Sequence, residues 1–131
     1  MPFDGIYGVS EGLWIGGQAV VANAVDDSAA LNALVRFHVD FALENANVIR
    51  VQDRDLDSLT DDDRHSVRTL QRSYVELWVD VLRRLRPDED PAALRTRAHA
   101  TFGLINSTPH SGRTRDRQAI LERMALAALT A

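Results

Sequence analysis

Four histidines are the side chains of this sequence best suited to chemistry, because a neutral imidazole binds metals and exchanges protons near neutral pH. His38 falls in the middle of an apolar helical face, and His99 shares a strip with Phe102 and Asn106. His65 belongs to a polar face and His110 to a loop. A helical di-iron centre needs Glu-x-x-His pairs on facing helices, and a helical zinc protease needs His-Glu-x-x-His. Neither spacing occurs. His38 therefore reads first as a core histidine hydrogen-bonded to a neighbour; a helical metalloenzyme with His38 or His99 as ligands is the minority reading. Ser107, Thr108, His110 and Ser111 lie close in sequence, but without a Gly-x-Ser-x-Gly elbow they mark a helix end and a turn around Pro109. Gly16-Gly17 and Gly5-x-x-Gly8 match neither phosphate-binding fingerprint. The expectation is a non-enzyme with no catalytic residues, no metal ligands and no cofactor.

The aromatic residues give a second lead. Trp14, Phe41, Tyr74, Trp78 and Phe102 all fall on inward helical faces, as ordinary core residues do. Polar groups share those faces: His38, Asn45, Gln71, His99 and Asn106. A buried polar group left unpaired costs about 1–3 kcal/mol, so several together imply a network, water or a ligand. The sequence allows either a binding pocket or a solid core here.

The elements that must position these residues are helical, since period-2 alternation is missing and i, i+3, i+4 spacing recurs. A first helix is expected over residues 10–24, with Leu13, Gly17, Val20, Val21 and Ala24 on one side. Gly16 and Gly17 weaken it by roughly 1 kcal/mol each relative to alanine. A second starts near Asp27 or Ser28 and runs to Asn45, stacking Leu31, Leu34, Val35, His38, Phe41 and Ala42, with Asp40 facing solvent. A short third is expected at residues 46–55. The central helix, residues 60–85, opens on Thr60 with Asp63 as a capping-box pair. It carries an apolar stripe through Val67, Tyr74, Trp78, Val81 and Leu85, and Arg72–Glu76 and Asp80–Arg84 stand at i, i+4. Asp90 and Pro91 open the next helix, which ends before Thr108-Pro109, and a last one spans residues 115–128. The fold class is all-α, an orthogonal or antiparallel bundle of about six helices forming one domain over residues 1–131.

Bulk composition agrees with this reading. The chain has 131 residues, 45% hydrophobic and 26% charged, enough for a real core without staples. It has no cysteine, and all fifteen of its basic residues are arginine. Neither a leader nor a bilayer-length apolar run is visible. Net charge is −4 with the arginines mixed among nineteen acids, so no basic nucleic-acid face is expected. The expected location is cytoplasmic.

Residues 36–45 (RFHVDFALEN), 48–56 (VIRVQDRDL), 70–79 (LQRSYVELWV) and 98–111 (AHATFGLINSTPHS) together resemble the C-terminal domain of TetR-family regulators. The likeness covers roughly residues 28–131. It implies an effector pocket walled by the long central helix, and a dimer built from the last two helices. Alanines at 98, 100, 125, 127 and 128 suit close helix approach within or between subunits. Residues 3–7 (FDGIY) resemble the start of the helix that follows the family's DNA reader. The nine residues before Ser10 cannot form that reader, so either the chain is truncated or it works without touching DNA.

The resulting expectation is a homodimer that binds a small, mostly apolar effector. The pocket residues would be Trp14, His38, Phe41, Tyr74, Trp78, His99, Phe102 and Asn106. The interface residues would be Leu94, Ala98, Ile105, Ile120, Leu121, Met124 and Ala128. No nucleic acid is contacted by the chain itself and no membrane is involved. The rival reading is a stand-alone helical module that forms homo- or heterodimers.

Overall fold

The structure, a computed structural model, describes residues 5–45, 56–107 and 116–131. Among these, all regular structure is helical, in five helices: α1 (Gly5–Ala22), α2 (Asp27–Glu44), α3 (Asp61–Leu85), α4 (Pro91–Asn106) and α5 (Arg117–Thr130). The helix expected at residues 46–55 lies outside the described residues, as do His110 and Ser111.

Side-chain caps set where three helices begin. Asp26 accepts the Ala29 N–H at 2.8 Å, one residue earlier than the sequence suggested, in a run where three successive residues are all good caps. Thr60 accepts the Asp63 N–H at 3.1 Å, the forward half of the expected capping box. Asp90 accepts the Ala92 N–H, with Pro91 at the first helical position. At the other end of α2, Asn45 turns back to donate to the Phe41 carbonyl, so it closes the helix instead of facing inward.

Helix α3 is central because its apolar surface is wide. It packs against α1, α2 and α4, while α2 also meets α1 and α5, and α5 closes on α4. Trp78, Leu34, Leu82, Leu94, Ile105 and Leu129 are fully buried in one core. Each such side chain contributes roughly 1.5–3 kcal/mol of transfer free energy. A smaller cluster of Leu56 and Val67 sits apart, fixed by Arg64, which donates to the carbonyls of Leu56, Asp57 and Leu59.

The glycines of α1 have a tertiary purpose that helix propensity did not reveal. A Cβ on Gly17 would lie 2.9 Å from the Tyr74 ring and 3.0 Å from Leu77. One on Gly16 would lie 2.5 Å from the Phe37 ring. Their bare backbone lets α1 lie close on α2 and α3.

Charges join helices more than they decorate single ones. The expected Asp80–Arg84 pair is replaced: Asp80 meets Arg83, and Arg84 reaches across to Asp27 on α2 at 2.7 Å. Asp40 also finds a partner, accepting from the Gln118 amide on α5. Glu89 bridges Arg86 and Arg97, each at 2.8 Å, and the Arg97 guanidinium foremost holds its carboxyl below the usual range. Arg86 then donates to the Thr130 carbonyl at 2.7 Å, and Arg97 more loosely to those of Ala128 and Leu129. Cations at a helix C-terminus satisfy carbonyls that the helix itself leaves open. Among the described residues no helix is long and apolar enough to cross a membrane.

Candidate functional site

Where α1, α2, α3 and α4 converge they leave a cavity of about 370 Å³. Val9, Ser10 and Leu13 come from α1, His38 and Phe41 from α2. Arg68, Gln71, Tyr74 and Val75 come from α3, and His99, Phe102 and Asn106 from α4, with Leu56 at one side. Turns of amphipathic helix put these groups there, since 38 and 41, 71 and 75, and 99, 102 and 106 are spaced to share a face.

His38 is the hub. It is buried, and its two ring nitrogens each have a partner: Nδ1 lies 2.9 Å from the Tyr74 hydroxyl and Nε2 lies 3.1 Å from Asn106 Oδ1. An amide oxygen only accepts, so the proton sits on Nε2, and Nδ1 accepts from the Tyr74 O–H. Burial pushes the His38 pKa down to about 4, against a smaller upward pull from Asn106, so the ring is neutral at physiological pH. Burial likewise raises the Tyr74 phenol well above its ordinary range. The neighbouring Trp78 indole pulls weakly the other way without reaching hydrogen-bond geometry, and its N–H lacks a partner among the described residues.

Around this relay the rings stack closely. Phe102 lies 5.0 Å from His38, 5.7 Å from Tyr74 and 4.9 Å edge-on from Trp78, centre to centre. Phe41 flanks His38 at 5.9 Å, and His99 meets Phe102 at 6.4 Å. Such a lining suits a flat or aliphatic body with a few polar contacts. Both His38 nitrogens are occupied and Tyr74 is held un-ionised, so neither side chain offers a free base.

Six of the expected pocket residues thus meet at one cavity: His38, Phe41, Tyr74, His99, Phe102 and Asn106. Trp78 stands behind them, fully buried, as support and not as wall. Trp14 is half-buried on α1 and does not line the cavity. Ser10 and Arg68 also line it, which spacing does not foresee: Ser10 reads in sequence as a helix start, and Arg68 sits at the polar edge of the α3 stripe. Among the described residues no group of three His, Asp or Glu side chains converges to hold a metal. Two larger depressions, about 800 and 590 Å³, are open grooves along α2 and α5 with charged rims and no comparable convergence of aromatic rings.

The expected interface residues divide. Leu94, Ala98, Ile105 and Leu121 are buried inside the chain's own core, where α4 and α5 pack on their neighbours, and Ala128 is half-buried. Ile120 and Met124 are exposed on α5, at 39% and 49%. Alanines 98 and 125 serve close approach within the subunit, whereas Ala100 and Ala127 remain at the surface.

Among curated proteins no sequence matches the chain. A family described as tetracyclin repressor-like, C-terminal domain, matches residues 25–110, which carry α2, α3, α4 and most of the cavity wall. With about two-thirds of its length under that match and an all-helical core to support it, the chain belongs to the tetracyclin repressor-like C-terminal domain family.

Proposed function

We propose that this chain is the effector-binding and dimerisation part of a transcriptional regulator, without catalytic activity. A small, mostly apolar ligand occupies the cavity around His38, Phe41, Tyr74 and Phe102. The observation that carries the reading is the cavity itself, an aromatic lining with a fixed pair of polar contacts inside a family of regulator domains. A ligand that favours one of two subunit arrangements shifts their population, and DNA readers joined to the subunits would follow. The mixed surface charge supports DNA contact elsewhere than on this domain, and a regulator of this kind works in the cytoplasm.

A neutral fluorescent probe, N-phenyl-1-naphthylamine, tests the pocket. It should bind one site per chain, and Leu13→Trp, which fills the cavity, should abolish binding while the helical circular dichroism persists. Equal binding by both proteins sinks the pocket. The dimer is the second half of the proposal, supported by exposed Ile120 and Met124 beside surface alanines. A module that only associates would dimerise as well, but no probe would change its melting temperature.

A further inference from the structure

The cavity opens sideways. Arg68, Gln71, Val75 and His99 line both it and an adjoining groove of about 550 Å³, to which Arg72, Glu76 and Arg95 also belong. The two spaces adjoin at these four side chains, aromatic on the inner side and cationic on the outer. Charge on that outer side is unbalanced. Glu76, the acid that spacing assigns to Arg72, is taken instead by Arg95 from α4, through bonds of 2.6 and 2.9 Å. That bidentate pair holds the Glu76 carboxyl below its ordinary range. Arg68 and Arg72, both exposed, are left without an ion-pair partner among the described residues, on a chain whose net charge is −4. Like charges four residues apart on one helix repel, and nothing described within the fold offsets them.

The interior cannot take a charge in their place. His38 spends both ring nitrogens on Tyr74 and Asn106, and a buried ion without a partner is costly. A charged group on the ligand must therefore sit on the outer side. Guanidinium forks fit carboxylate, sulfonate and phosphate oxygens in pairs. We propose that the effector is an amphipathic acid: an apolar or aromatic body in the cavity and an anionic head held by Arg68 and Arg72. This rests on the cavity being the ligand site.

The test compares N-phenyl-1-naphthylamine with 8-anilinonaphthalene-1-sulfonate, the same body with and without an anion, by fluorescence titration of the full chain. The sulfonate should bind about ten-fold more tightly, with the advantage eroded by salt. The double variant Arg68→Gln/Arg72→Gln should bring the two probes to equal affinity without changing the neutral one. Arg117→Gln/Arg123→Gln, equal in net charge but on α5, should leave the preference intact. Equal binding to the unaltered chain, or a sulfonate preference that survives the first double variant, overturns the anionic head while the pocket stands. Failure of both probes to bind overturns both. Competition by decanoate and decyl phosphate separates a carboxylate from a phosphate head, and decanol competing as well as either overturns the proposal.

Discussion

At the scale of single residues, the His38 relay ties stability to pH in a direction that can be worked out. The folded chain holds His38 at about 4 while the unfolded chain titrates near 6.5, so the unfolded state binds the proton first. Stability from this group is complete above pH 6.5 and is lost as pH falls towards 4, by about 3 kcal/mol in all. Glu76 and Glu89, held low by arginines, lose their contributions only below their ordinary value of 4.5, so the upper part of the window reports His38. Urea unfolding between pH 7 and 4.5 should show the slope, and His38→Gln should flatten it. A slope unchanged in that variant would move the titration elsewhere. Tyr74→Phe strips the donor from His38 Nδ1 and should cost about 1–3 kcal/mol at pH 7. His38 was legible in the sequence because an imidazole on an apolar stripe needs a partner, and Tyr74 and Asn106 stood on inward faces. Arg68 was not, because its significance depends on Glu76 leaving Arg72 for Arg95, a contact between helices that no spacing encodes.

At the scale of helices, the two kinds of glycine in α1 separate local propensity from packing. Gly12 has open space around its missing side chain, so Gly12→Ala should stabilise by about 0.4–1 kcal/mol, the usual helix-interior gain. Gly17→Ala should instead destabilise by about 1–3 kcal/mol, because the new methyl meets a Tyr74 ring already fixed by His38. Thermal melts of the two variants moving in the same direction would refute the close approach. Propensity alone ranks these glycines together, and for that reason Gly16 and Gly17 look in sequence like weaknesses of the helix. Helix ends were legible where chemistry is unambiguous: Asp90-Pro91 opens α4 and Thr60 caps α3 as expected. The two-residue shift of α5 was not, since Asp116 makes no side-chain cap bond there, and neither was the start of α1 at Gly5, since glycines at 5 and 8 are weak helix formers.

At the scale of the whole molecule, Ile120 and Met124 form the exposed apolar pair on α5, while Tyr7 and Ile15 are exposed on α1 and Val25 just beyond it. Ile120→Asp with Met124→Asp should reduce the light-scattering mass from two chains to one without loss of helix, because neither side chain belongs to the core. A pair of chains that persists in this variant would place the contact elsewhere. Buried Leu94, Ala98, Ile105 and Leu121 could not be told from surface residues by periodicity, which finds apolar faces but not what covers them. The arginines around Glu89 carry one more consequence. A chain's last helical turn ordinarily frays, yet here Leu129 is fully buried and the final carbonyls are grasped by Arg86 and Arg97. Deuterium should therefore enter the amides of residues 126–130 about as slowly as those of Trp78 and Val79. In Arg86→Met with Arg97→Met, the same amides should be the first to exchange, as though a latch had been lifted from the end of the bundle.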